Sequence, residues 1–443
     1  PHRCCSRSPL ADHYDAMSRV RIPKDRMYYK FRLYGFLKNL RFFDPFVVLF
    51  FREMGLSFLE IGALFSIREV ATNLLEVPTG VVADAFGRRK AMLASFSSYI
   101  LSFLIFYTAP GFWTYALAMV LFAFGETFRS GTHKAMILEY LRLKGIEHLK
   151  VHYYGHTRAG SQLGSALAAL IAAGLVFYSG SYRIVFIASV VPYVLGLFLF
   201  LTYPKELDGE IVRVTGAWRE KFAERVRITG RGFLSMFRDA HTLKGLLHSA
   251  AFDGVFKATK DYLQPILKSQ ALALPLFLSL SADKRTGIVV GIIYFFLHLG
   301  TSFASQNAGR IQERMRSLSA AVNITYLLGM GLLLLAGLGT RFGVYGLAIA
   351  CFVGLYLLQN LRRPMMVGYL SDVIPRRMMA SGLSVESQLK TLIQAGLAPL
   401  VGYLADTVGV GFALAIVAAG AKLSWIFLRV PSPKGVAVLE AER

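Results

Sequence analysis

The chain has 443 residues, 55% of them hydrophobic and 17% charged, with a formal net charge of +22 and a mean hydropathy of +0.49. Soluble globular domains carry about a quarter charged residues, so the composition excludes an ordinary soluble fold and makes a polytopic membrane protein the default. The three cysteines, Cys4, Cys5 and Cys351, offer neither a disulfide framework nor zinc-ligand spacing, and no metal or cofactor is expected.

Residues 1–28 open the chain with "PHRCCSRSPLADHYDAMSRV", which lacks the apolar core of a signal peptide and reads as a disordered lead. Apolar runs then recur at close to the roughly 20 residues that cross a bilayer core as helix. The expected spans are Leu33–Phe51, Phe58–Ala83, Ala91–Ala109, Trp113–Leu141, Tyr154–Tyr178, Tyr182–Tyr203, Leu243–Leu267, Gly287–Asn307, Ala321–Leu338, Val344–Met366, Leu383–Leu404 and Phe412–Leu428. They make twelve helices in two six-helix halves, 29–203 and 242–430, with a polar linker at 204–241 and a tail at 431–443. In the linker, "AWREKFAERVRI" has amphipathic spacing and predicts a helix lying on the membrane surface. An all-α integral membrane fold of two pseudo-symmetric halves is the pattern of a repeat-built transporter, with its site between the halves at mid-membrane.

The basic residues fall between alternate spans. Arg88, Arg89 and Lys90 follow the second, Arg142, Lys144 and Lys150 the fourth, and Arg314 and Arg316 the eighth. Arg376 and Arg377 follow the tenth, and the linker carries Arg213, Arg219, Lys221, Arg225, Arg227 and Arg231. This is the positive-inside pattern of a multi-pass plasma (inner) membrane protein with both termini cytoplasmic. The net charge therefore reads as a topology signal in contact with anionic headgroups, and no nucleic-acid partner is expected.

After the second span comes "GVVADAFGRRK", from Gly80 to Lys90. Gly80 lets a neighbouring helix approach, Asp84 sits at the helix end, Gly87 permits a tight turn, and Arg88 with its basic neighbours anchors the loop. The motif resembles the signature of the major facilitator superfamily between its second and third helices, and the preceding "EVPTG", from Glu76, resembles a variant found among bacterial efflux members. The resemblance implies secondary transport by alternating access, with a cavity lined by the first, fourth, seventh and tenth helices. It also implies a gate role for Asp84 and Arg88, with Gly80 and Gly87 as structural partners. The corresponding "SQNAGRIQERM" keeps Gly309 and Arg310 without an aspartate, and Arg129 in "GETFRSG" is an approximate counterpart of the family's fourth-helix arginine motif.

An ionisable residue inside the membrane costs about 2.5 to 3.5 kcal/mol on insertion scales, so it should face the bundle interior, a partner or water. Asp44 lies in the first expected span, Glu126 and Arg129 in the fourth, Asp253, Lys257, Lys260 and Asp261 in the seventh, and Gln359, Asn360 and Arg362 in the tenth. Those are the four helices that the resemblance places around the cavity. Asp253, Lys257 and Asp261 stand four apart and predict a stripe of alternating sign on one helix face, with Lys260 beside it and Pro265 bending the helix near its outer end. The alternative is an internally neutralised group that only pins helices together. Glu126 and Arg129, three apart, predict a similar pair. Arg68 and Glu69, Arg158 and Gln162, and Glu386, Lys390 and Gln394 are further candidates, read as interhelical contacts. His133 and His298 read as packing residues.

The expected function is proton-coupled export, by antiport, of a small organic molecule of anionic or amphipathic character. The cations Arg129, Lys257 and Lys260 would serve the anion and the acids the proton. Alternatives are an importer of an organic anion, an exporter of divalent metal held between Asp44 and Asp253, and a receptor or scaffold that keeps the fold without transport. No nucleotide-binding loop, nucleophilic-serine elbow or metal-hydrolase helix occurs, so neither an ATP-driven pump nor an enzyme is expected. The expected partners are a small-molecule substrate, protons and the bilayer, and the chain is expected to act as a monomer.

Overall fold

The structure, a computed structural model, describes residues 23–208, 227, 239–315, 317–374 and 379–431, without the side chains of a few of them. Apart from Arg227, the amphipathic linker segment lies outside the described residues, as do the lead up to residue 22 and the tail from residue 432. Among the described residues all regular structure is helical.

The first expected span is two helices, α1 (Arg26–Leu37) and α2 (Val47–Glu53). Asp25 caps α1 by accepting the Tyr28 N–H at 2.9 Å, so the fold starts inside the expected lead. Pro45 disfavours helix at Asp44, and the chain resumes helix only at Val47. α3 (Phe58–Phe86) opens on a capping box of Ser57 and Glu60, and α4 (Arg88–Thr108) follows it directly. The fourth span divides into α5 (Phe112–Arg129) and α6 (Thr132–Leu143), where Gly131 takes a φ of 81°. α7 (Lys150–Ser179) and α8 (Ile184–Leu201) complete this half.

The second half begins with α9 (Ala240–Thr259) and α10 (Leu263–Ala273), separated by a 3-10 turn at Lys260–Tyr262. Pro265 explains the break: its ring clashes with the carbonyl four residues back, at Asp261. The helix thus divides ahead of the proline, nearer mid-span than the bend expected at its outer end. Then come α11 (Ala282–Gln306), the short α12 (Ala308–Glu313), α13 (Leu318–Arg341), α14 (Tyr345–Val373), α15 (Met379–Thr407) and α16 (Val410–Leu428). Among the described residues, seven helices are long and apolar enough to cross a membrane in one piece: α4, α7, α8, α11, α13, α14 and α16. The other five expected spans are the three divided ones and the two charge-bearing helices α3 and α15.

The halves meet along two seams, α3 against α15 and α7 against α11. We call the side of the bundle that carries the linker the linker side and the opposite one the far side. At the far side the α3–α15 seam is backbone against backbone. A side chain at Gly402 would run into the Phe58 carbonyl. Asp406 caps α3 across the seam, accepting the N–H groups of Phe58 at 3.0 Å and Leu59 at 2.8 Å. Toward the linker side the cross-half hydrogen bonds continue with Ser66 to the Ala395 carbonyl (2.6 Å) and Asn73 to Thr391 (2.6 Å). None beyond Asn73 joins the halves among the described residues.

Candidate functional site

Between the halves lies a cavity of about 440 Å³ whose wall combines α3 and α5 with α9, α11, α14, α15 and the breaks between α1 and α2 and between α9 and α10. Helix breaks at such depth expose backbone polar groups, and they are tolerated where the backbone lines a polar cavity or is bonded to other protein groups. Gln264, fully buried on α10, does this for the first break. Its Oε1 accepts the Val48 N–H at 2.8 Å and its Nε2 donates to the Asp44 carbonyl at 2.9 Å.

In the first half, Glu126 is the hub. Its carboxylate accepts Arg41 Nη2 at 3.0 Å, the Tyr99 hydroxyl at 2.6 Å, and Arg129. Arg129 Nε also donates to the Tyr99 hydroxyl at 3.2 Å, so one acid organises two guanidiniums and a phenol. Across the cavity, Asp253 accepts Lys390 Nζ at 2.6 Å and Gln359 Nε2 at 2.9 Å. Lys390 bridges onward to Glu386 at 2.8 Å, and Ser249 donates to the same Glu386 carboxylate. Between these clusters Glu69 bonds Arg68 at 2.9 Å and faces Lys257 at 4.0 Å. That contact is the one ion pair joining the halves among the described residues. At the break in the seventh span, Lys260 pairs with Asp261 at 2.6 Å.

The expected residues therefore separate into groups. Asp44, Glu126, Lys257, Lys260 and Asp261 line the cavity, and Arg129 stands behind Glu126. Asp253, Gln359, Glu386 and Lys390 form a network beside it and are not part of its wall, so Asp44 and Asp253 do not face each other as a pair of free acids. The Asp253 charge is met by Lys390. The seventh-span stripe is likewise divided among partners: Asp253 to α15, Lys257 to α3, Asp261 to Lys260. Asn360 donates to the Tyr356 carbonyl on its own helix at 3.0 Å, and Arg158 is exposed on α7. Sequence reasoning missed Arg41, which lies near the middle of the first expected span, and read Glu69 as a contact residue although it borders the cavity. His133 is a packing residue, its ring stacked 3.7 Å from that of Tyr34.

At the motif between α3 and α4, Gly80 lies within α3, and the Asp84 side chain lies outside the described residues. Gly87 takes a φ of 97° that an ordinary residue rarely adopts. Its carbon faces the Asp208 carboxylate, which accepts the Arg89 N–H at 2.6 Å and so caps α4. Arg88 reaches Glu139 on α6 at 3.7 Å, within the same half.

A family model described as Major Facilitator Superfamily matches residues 39–387. The chain belongs to the major facilitator superfamily. It is 21% identical over 337 residues to an uncharacterized MFS-type transporter, YxaM of Bacillus subtilis (strain 168), covering 75% of this chain and 77% of that one. Among solved structures it resembles the nucleoside transporter NupG, with a TM-score of 0.72 at 12% identity over 91% of this chain and 99% of that one. A POT family transporter in complex with a thioalcohol-conjugated peptide aligns with a TM-score of 0.70 at 14% identity, over 92% and 96% of the two chains. At such identities the likeness is one of fold. This superfamily member is thus a multi-pass membrane transporter, and the wall described above surrounds the space between its halves.

Proposed function

We propose that the protein is a proton-coupled secondary transporter of a small organic molecule carrying an anionic group, working by alternating access through the central cavity. The observation that carries this reading is the Glu126 hub, one carboxylate shared by Arg41, Arg129 and Tyr99. A proton placed on Glu126 removes the charge at which both guanidiniums are aimed and leaves two cations in a partly dry cavity. An anionic group on the substrate can then take the place of the carboxylate. Loss of the proton restores the pair and expels the anion, so proton and anion are taken up and released together and their two fluxes run in the same direction, as cotransport rather than antiport. Asp44 is exposed to the cavity and makes no ion pair among the described residues, so it is a second place for the proton.

The seam supports a structure that opens toward the linker side: cross-half bonds run from Asp406 to Asn73 and stop there, and the cavity wall includes Glu76 and Ser130. The placement of Arg and Lys between alternate spans assigns that side to the cytoplasm of the plasma (inner) membrane. The "EVPTG" resemblance implies export, but cotransport on the Glu126 hub supports instead the alternative of an importer of an organic anion. The chain is taken to work as a monomer because each half completes the cavity of the other.

The test is reconstitution in liposomes holding a pH-sensitive dye, with organic anions, amphipathic cations and divalent metals supplied in turn. Proton flux should follow organic anions and should disappear in Glu126→Gln, which keeps the shape of the acid without its charge. Flux evoked by the other classes alone, or an undiminished flux in Glu126→Gln, would overturn the proposal.

A further inference from the structure

Away from the central cavity, a second polar cavity of about 600 Å³ lies on the linker side of the carboxy-terminal half. The start of α9, the start of α13 and the residues after α16 enclose it. His241, Lys244 and Arg429 line it, and Lys244 and Arg429 are both exposed. Neither of those two cations pairs with a carboxylate among the described residues; the Arg429 guanidinium lies 5.7 Å from the centre of the Trp425 ring. The nearby acid Asp239 is already engaged. It accepts the N–H groups of His241 at 3.2 Å and Thr242 at 3.0 Å, together with the Thr242 hydroxyl, and so caps α9. The rest of the wall offers hydroxyls, with Ser317 and Ser319 in contact at 3.0 Å. Asn323 pins the chain after α16, donating to the Val430 carbonyl at 2.8 Å and accepting its N–H at 3.2 Å. Arg429 is therefore presented by a fixed segment.

Further into the bundle, between α9, α15 and α16, runs an apolar crevice of about 450 Å³ that includes Val255, Leu400, Ile416, Gly420 and Leu428. Leu400 and Ile416 are about half exposed, as residues facing acyl chains would be. Leu428, which lines the crevice, directly precedes Arg429, which lines the cationic cavity, so both cavities border the end of α16. His248 holds the helices together at that junction, its Nδ1 lying 3.1 Å from the Leu428 carbonyl and its Nε2 3.2 Å from the Val322 carbonyl.

We propose that the two cavities are the head and tail portions of one binding site for an anionic phospholipid, with the phosphate between Lys244 and Arg429 and an acyl chain in the crevice. Free phosphate would use the cations and leave the crevice without an occupant, whereas an anionic lipid satisfies both at the depth where headgroup gives way to hydrocarbon. Each cation near a membrane surface contributes about 1 kcal/mol toward an anionic lipid, so the two together favour it over a zwitterionic one by about thirtyfold.

The experiment uses the purified full-length protein in mixed micelles holding equal amounts of phosphatidylglycerol and phosphatidylcholine, with retained lipid counted by native mass spectrometry. Phosphatidylglycerol should be retained in preference, and Lys244→Gln with Arg429→Gln should reduce that preference about thirtyfold. The charge-keeping pair Lys244→Arg with Arg429→Lys should preserve it, and Gly420→Phe, which fills the crevice, should lower retention. An equal preference in the parent and the neutral variant overturns the assignment. So does displacement of phosphatidylglycerol by an equimolar amount of inorganic phosphate, which would make this a site for the free anion. If the double neutral variant shows no melting transition in phosphatidylcholine micelles, Arg429→Gln alone decides, and an unchanged preference in it overturns the proposal.

Discussion

Lys390→Met is the most telling single change outside the Glu126 hub. Lys390 holds Asp253 at 2.6 Å and Glu386 at 2.8 Å, and all three side chains are largely withdrawn from solvent. Methionine keeps much of the volume and leaves two neighbouring carboxylates without their cation. Breaking a buried charge group by removing one partner costs about 3 to 5 kcal/mol. For a cooperative unit the size of one half, each kcal/mol moves the melting temperature by about 2 to 4 °C, so a fall of about 6 to 20 °C is expected. Thermal unfolding in detergent, followed by tryptophan fluorescence, measures it, with the exposed Lys90→Met as a control expected to stay within about 0.5 kcal/mol of the parent. The neutral triple variant, Lys390→Met with Asp253→Asn and Glu386→Gln, should recover only part of the loss, because the buried Arg362, 4.3 Å from the centre of the Phe252 ring, then loses both neighbouring acids. A single Lys390→Met that melts no lower than the control would refute the claim that these three residues act as one buried unit.

Lys257→Ala removes the contact to Glu69 across the halves. Because Lys257 is well exposed to the cavity, the pair contributes no more than about 1 kcal/mol, so the balance between opposite-facing states should shift about fivefold. Distances between spin labels placed on the linker-side ends of α3 and α15 report the shift, and an unaltered distribution would remove Lys257 from the coupling path. Gly402→Val places a side chain against the Phe58 carbonyl and should hold the far side ajar, so that a thiol reagent reaches a cysteine introduced near Phe58 in the variant and not in the parent. His133→Phe should leave proton flux unaltered, since its ring packs on Tyr34; lost flux with a normal melting temperature would make His133 a proton carrier.

The twelve spans and the division into halves were legible because a bilayer demands long apolar runs and basic loops, and both survive in the order of residues alone. Local pairing was legible too: Glu126 and Arg129 are three apart on one helix, and the structure joins them. What spacing cannot show is a partner on another helix. Asp253 and Lys257 look like neighbours in a stripe, yet Lys390 on α15 takes the first and Glu69 on α3 faces the second. The divided helices were half legible. Pro265 announces the seventh-span break, while Pro45 and Gly131 lie inside spans read as continuous helix. Arg41 was passed over because nothing in the sequence places Glu126 opposite it.

The 3-10 turn between α9 and α10 makes the seventh span two limbs with different allegiances. α9 is tied to its own half through Lys390, while α10 is bonded to both: Lys268 pairs with Asp283 of its own half at 3.1 Å, and Gln264 reaches Val48 and the Asp44 carbonyl of the other, with Lys268 also over the Tyr182 ring at 5.3 Å. The turn at Lys260–Tyr262 is therefore a wrist, a point where α9 can turn while α10 keeps its bonds to both halves.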